Sequence, residues 1–317
     1  MNRRALLNVA RIVVSAGLLA WVLSRVGLAD LAAMMRGADP GLLALAAGIS
    51  VVGVVVRAWR WQVLLRAVGA RVPFRRLVYL NFVGQFFSSF LPTGFAGDVV
   101  RVLEAGDGAS PAQAAGTVLV DRLTGFVGLF ALALIALPFS RGLIPPEWAW
   151  GIAGLSAVVI AGAGVLFEGR LLRRVTGRLP GGLSLASGSW LARAYDVITA
   201  CGWRAILGAL GVATLFNLMQ IAFSWIFALA LGIQAAPLYF ALFIPIATVA
   251  LLVPLSISGL GVREQIYLTL FASPAVGLAG AEAVALSLGA YALDLVTAVV
   301  GGVLYFGAGA LGLRRSG

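Results

Sequence analysis

The sequence contains no histidine, no lysine and a single cysteine, and charged residues make up only 11% of its 317 positions. Without histidine there is no His-based metal site and no Ser-His or Cys-His catalytic pair. With Cys201 alone there is no intramolecular disulfide. Soluble globular domains carry roughly 25% charged residues. Here 61% of residues are hydrophobic and windows of about twenty apolar residues follow one another. These are the marks of a polytopic membrane protein. No stretch is polar enough to form a soluble domain, so residues 1–317 are expected to be one integral membrane domain, not an enzyme, needing no cofactor and no metal. The missing lysine, with abundant Ala and Gly, fits a GC-rich genome and a bacterial source.

The formal charge of +11 comes from 23 arginines. They sit in the gaps between apolar runs instead of forming a patch, which argues for membrane orientation and against nucleic acid. Apolar spans are expected near residues 6–24, 41–58, 77–91, 115–137, 150–167, 204–231, 237–256 and 281–309. The basic front before the first run resembles a signal peptide, but no small-residue cleavage site follows, so it reads as a retained span with Arg11 reaching the interface. Arginines cluster at Arg3, Arg4 and Arg11, at 57–76, at 168–204, and at Arg314 and Arg315. All four clusters read as cytoplasmic, which puts both termini inside an inner (cell) membrane. The RAWRW stretch, residues 57–61, reads as an interfacial anchor. The polar loop 168–204 reads as short amphipathic pieces on the cytoplasmic surface, a place where a biosynthetic partner protein would dock.

Three apolar segments separate residues 76 and 168, which are both expected inside, and an odd number of crossings cannot return a chain to the same side. One segment must turn back. The natural candidate is the one interrupted by LPTGFAGDVVR (91–101), whose Pro92, Gly97 and Arg101 recur at the same intervals as Pro254, Gly259 and Arg263 in VPLSISGLGVRE (253–264). The expected fold is therefore all-α, with about six full transmembrane helices and two re-entrant Pro/Gly-broken hairpins. Repeat-like halves at about 57–137 and 204–309 form an inverted repeat whose broken segments meet near the midplane. For 237–272 the count also permits a full crossing. Irregular backbone at that depth has to line a cavity.

Charges within apolar segments are costly and usually pair or face water. Asp98, Arg101, Asp121, Arg122, Arg263, Glu264 and Asp294 are such residues. Arginine stays protonated in low dielectric and binds phosphate through a planar fork, which suits an anionic lipid headgroup. Structural ion pairing is the plainer role, and for Asp98 a helix N-cap. Asp121, Gly125 and Gly128 share a helix face, and Asp294, Ala298 and Gly301 repeat that spacing. Asn81, Gln85 and Ser88 form one polar stripe; Asn217, Gln220 and Ser224 form another.

The combination of RAWRWQVLL, LPTGFAGDVVR, VLVDRLTG and PLSISGLGVRE, in this order, resembles the flippase-like membrane family related to the transmembrane region of lysylphosphatidylglycerol synthase. The resemblance covers nearly the whole chain. It implies a protein that moves or handles lipids, among them aminoacylated phospholipids, polyprenyl-linked sugars and hopanoids, and it points to Asp98, Arg101, Asp121, Arg122, Arg263 and Glu264. The soluble aminoacyl-transfer domain of the bifunctional synthases is not matched, so lysylphosphatidylglycerol synthesis is not expected of these residues. The expected function is a lipid flippase or transporter that carries a phosphate-bearing lipid through an arginine-lined cavity. The alternative is a membrane enzyme or accessory subunit in lipid or lipid-linked glycan biosynthesis.

Overall fold

The computed structural model describes residues 33–90, 95–168, 190–251 and 259–310. The expected first span (6–24), the prolines Pro92 and Pro254, most of the 168–204 loop and the two chain ends lie outside them. Ten helices are described: α1 (Pro40–Ala67), α2 (Phe74–Phe90), α3 (Ala96–Leu103), α4 (Pro111–Ala136), α5 (Pro146–Glu168), α6 (Trp190–Ala200), α7 (Gly202–Ala230), α8 (Pro237–Ala250), α9 (Val262–Phe271) and α10 (Gly280–Ala310). The described residues form helices and connecting turns, with no strand among them. Five of these helices are long and apolar enough to cross a membrane, and the shorter apolar α8 joins them.

Helix starts follow local chemistry. Asp39 caps α1, its Oδ1 accepting from the amides of Gly41 at 2.7 Å and Leu42 at 3.0 Å, with Pro40 in the first turn. Ser110 and Gln113 close a reciprocal capping box on α4, followed by Pro111. Gln113 Nε2 then donates to the Val68 carbonyl at 2.8 Å, tying the start of α4 to the end of α1.

Two antiparallel pairs frame the molecule. In the first, the Asp39 amide donates to the Ala230 carbonyl, Gly53 faces the Phe216 ring and Gly208 faces Val63, so α1 and α7 run past each other along most of their length. In the second, Gly301 of α10 abuts the Phe82 carbonyl of α2, Gly302 abuts the Phe86 ring, and the Tyr291 hydroxyl donates to the Ser89 carbonyl at 3.4 Å. Small residues at these contacts let helix backbones approach closely, the usual packing device where lipid removes the hydrophobic drive. In the spanning helices only 22% to 44% of the most apolar window is buried, and exposed Trp150, Val158 and Phe306 present apolar surface outward, as hydrocarbon solvent requires.

Two shorter helix pairs fit between these long ones. The α2–α3 pair closes on itself at its base: Arg76 Nη2 donates to the Glu104 carbonyl at 3.0 Å, and the Arg71 amide to the Gly108 carbonyl at 2.9 Å. The α8–α9 pair closes likewise, with the Tyr239 hydroxyl donating to the Ala275 carbonyl at 3.1 Å and the Phe240 and Phe271 rings 5.1 Å apart. The base of α2–α3 lies toward the C-terminal end of α10, whereas α9 leads directly into its N-terminal end.

Candidate substrate cavity

The site is built on a close approach of α3 to α2. A side chain on Gly97 would overlap the Gly84 carbonyl and the Ser88 hydroxyl, and the Gly97 amide donates to Ser88 Oγ at 3.1 Å. Glycine at both 84 and 97 lets α3 lie against α2, and one turn later Arg101 enters the interior with 7% of its surface exposed.

From there the charges alternate in one connected chain. Arg60 Nε donates to Asp121 Oδ1 at 2.6 Å, and Arg101 Nη2 donates to Asp121 Oδ2 at 3.0 Å. Arg101 Nη1 reaches Asp98 Oδ1 at 3.3 Å, and Arg122 Nε donates to Asp98 Oδ2. Helices α1, α3 and α4 each contribute. The guanidinium of Arg101 lies 4.3 Å from the centroid of the Trp61 ring and that of Arg122 lies 4.4 Å from that of Phe95, so aromatic faces carry part of the cation solvation lost on burial. Beside this chain Arg57 Nη2 donates to Gln85 Oε1 at 2.8 Å.

Arg57, Arg60, Arg101 and Arg122 line one cavity of about 300 Å³ together with Asp98 and Asp121. The wall therefore carries an excess of two positive charges. Asn81, Gln85, Ser88 and Gln220 add neutral polar groups to it, and Thr248 brings α8 to the same space. Among the arginines of this wall, Arg57 Nε, Arg60 Nη1 and Arg101 Nε are buried without a hydrogen-bond partner. An orphaned buried donor carries a desolvation cost of about 1–3 kcal/mol, larger when charged. The arrangement is short of acceptors, and an anion with several oxygens would supply them.

Of the residues singled out from sequence, Asp98, Arg101, Asp121 and Arg122 come together here. Arg263 and Glu264 are not in the wall of this cavity. The Arg263 guanidinium lies 4.7 Å from the centroid of the Tyr291 ring, whose hydroxyl contacts Ser89 near the end of α2. Glu264 is fully buried and caps α9: its Oε2 accepts from the Gly261 amide at 2.5 Å and its Oε1 from the Ser287 hydroxyl at 3.0 Å. Asp294 lines a second, smaller cavity of about 110 Å³ that shares Arg57, Gln85, Phe216 and Gln220 with the first.

Arg57 and Arg60 correct an expectation. The RAWRW stretch reads as an interfacial anchor, yet Arg60 is 5% exposed and Trp61 is fully buried, its Nε1 donating to Thr117 Oγ1 at 3.1 Å. Only Trp59, 47% exposed, keeps an outward position. The readable signal was helical spacing: 57, 60, 61 and 64 share one face, so an arginine pair continues the same stripe as buried Trp61 and Leu64.

The sequence matches the family described as the lysylphosphatidylglycerol synthase TM region over residues 8–302. The chain belongs to this family. Similarity extends to the glycosyltransferase AglD of Haloferax volcanii, 26% identical over an alignment of 339 residues that covers 92% of this chain and 54% of that protein. The chain thus spans about half the length of that relative. Membership covers nearly all the described helices, so the charged cavity lies wholly within the part of the molecule that defines the family.

Proposed function

We propose that this protein is a lipid flippase or lipid transporter whose arginine-lined cavity takes the phosphate-bearing headgroup of a membrane lipid while the acyl or prenyl tails stay in the bilayer. The observation that carries this reading is that three of the arginines lining one cavity, Arg57, Arg60 and Arg101, each hold a buried guanidinium nitrogen without a hydrogen-bond partner. A phosphate offers several acceptor oxygens and a negative charge to that set. The cavity binds and orients; no residue in it is assigned a chemical step.

In this reading α2–α3 and α8–α9 are re-entrant hairpins that enter from opposite leaflets. Their closed bases and the position of each base along α10 support it. Ser89 and Arg263, near the two tips, both contact Tyr291. Such inverted, interrupted elements allow exposure to alternate between leaflets around a fixed site. The arginine-rich flanks support a multi-pass inner-membrane protein of bacterial type with cytoplasmic termini.

The test uses the full chain in liposomes carrying a fluorescent anionic phospholipid. Leaflet exchange above the rate of protein-free vesicles, lost with Arg101→Gln and Arg60→Gln in variants that still fold, supports transport. Exchange no faster than in empty vesicles removes it. The name of the AglD relative favours a second reading, a membrane subunit serving a glycosyl-transfer reaction on a lipid carrier. A chemically altered lipid recovered from the same vesicles, supplied with a sugar donor, decides for it.

A further inference from the structure

The carboxylates around the two cavities are held in two ways. Asp98 and Asp121 each take two guanidinium groups in ion pairs, so neither accepts a proton without stranding buried cations. Asp294, at the middle of α10, is tied differently. The Ser50 hydroxyl of α1 donates to its Oδ1 at 3.3 Å, and among the described residues it forms no ion pair. Two cations act on it from farther off, Arg263 of α9 and Arg57 of α1. Tyr267 of α9 lies within the field of Asp294, Arg263 and Glu264. Gln85 of α2 and Gln220 of α7 are neutral members of the same cavity wall. Asp294 is partly exposed, and its cavity of about 110 Å³ exceeds several-fold the roughly 10–15 Å³ that one water needs, so water can bring a proton and take it away.

Arg57 relates this carboxylate to the anion site. It stands in the walls of both cavities, and its Nε is buried without a partner. An anion taken by Arg57 in the larger cavity neutralises one of the two charges that keep Asp294 ionised within an apolar segment. Resting on the transport reading above, we infer that Asp294 is the protonation site of a proton-coupled carrier and takes one proton with each anionic headgroup. The carboxylate receives a proton from water as the anion arrives on one side of the membrane, and gives it to water on the other side as the anion leaves. Only an O–H bond forms and breaks. One negative and one positive charge cross together, so the transfer is electroneutral and follows a proton gradient and not the membrane potential. Asp98 and Asp121, fixed in their pairs, take no part in the titration.

The experiment places the full chain in liposomes that carry phosphatidylglycerol with a fluorescent acyl chain and enclose a pH-sensitive dye, the outside being about one pH unit more acid. With one proton per lipid, the inner-to-outer ratio of labelled lipid settles about tenfold above its value without a gradient, beyond any change in protein-free vesicles treated alike. The dye reports acidification in step with lipid entry, and a membrane potential at equal pH leaves the ratio unchanged. In Asp294→Asn the residual exchange loses its response to the gradient, and Asp294→Glu regains it. Exchange by the unaltered protein that ignores the gradient, or that follows the potential, overturns the inference and leaves transport standing, and this measurement needs no variant to fold. A response kept in Asp294→Asn overturns it too, as does exchange lost from both variants while they fold as the unaltered protein does. Absence of exchange by the unaltered protein, with or without a gradient, removes the transport reading and this one with it.

Discussion

Arg60 and Asp121 lie 61 positions apart in sequence and meet at 2.6 Å in the interior, each almost wholly buried. The same aspartate takes Arg101 on its other oxygen. Removing one partner from a buried pair costs far more than the pair contributes, because an uncompensated charge remains. Asp121→Asn is therefore expected to cost about 3 kcal/mol by leaving two guanidinium groups facing one neutral amide. Thermal unfolding of the detergent-solubilised protein checks this. Adding Arg60→Leu should restore part of the loss, since one fewer cation is stranded, and strict additivity of the two changes would show that the pair is not coupled.

Glu264 gives a second expectation of a different kind. Its two oxygens accept from a backbone amide and a hydroxyl, so the residue is a structural clasp between the start of α9 and Ser287 of α10. Glu264→Gln turns one acceptor into a donor that faces a donor. A loss of about 1–2 kcal/mol is expected in the same unfolding measurement, together with an unchanged preference among lipids. A change in lipid selectivity without a change in stability would place Glu264 in the binding machinery instead.

Trp59 and Trp61 should separate cleanly. Trp61 is fully buried under the Arg101 guanidinium, and Trp61→Ala removes both its packing and a cation–π face, an expected cost of about 3–5 kcal/mol. Trp59 is half exposed, so Trp59→Ala should change unfolding by no more than about 0.5 kcal/mol. Equal losses at the two positions would mean that the burial pattern around Arg60 is wrong.

The apolar runs were legible, and the helix bounds fall within a few residues of the expected ones at 115–137, 150–167, 204–231 and 281–309. Two runs differ: the one expected at 237–256 gives α8, which ends at Ala250, and the other is instructive. The run at 41–58 extends to Ala67, because Arg57 and Arg60 continue the helix into the interior. Hydropathy ends a span at the first charge, whether that charge is wet or paired. Asp98, Arg101, Asp121 and Arg122 stood out as charges in apolar surroundings. Their connectivity did not, since apart from Asp98 and Arg101 the partners are 20 to 61 positions apart and only packing brings them together. The shared Pro, Gly and Arg intervals suggested equal roles for Arg101 and Arg263. Their surroundings differ, because Arg101 forms ion pairs with two aspartates beside the Trp61 ring, whereas Arg263 lies over the Tyr291 ring with Asp294 within electrostatic reach.

The glycines of the α2–α3 contact offer the sharpest structural test. At Gly97 an added methyl group would collide with the backbone of Gly84, and backbone cannot rotate aside as a side chain can. Gly97→Ala should therefore push α3 away from α2, cost about 1–3 kcal/mol, and draw Arg101 off Asp121. Gly154 on α5 has nothing within 4 Å of such a methyl group. There Gly→Ala should be neutral or stabilising by up to about 1 kcal/mol, from helix propensity alone. Lipid binding measured alongside unfolding separates the two effects. Gly97→Ala should lose affinity for every anionic lipid in parallel, since the proposed phosphate site includes Arg101, whereas Gly154→Ala should bind as the unaltered protein does. A Gly97→Ala protein that binds normally would show that the cavity does not depend on the close approach of these two helices.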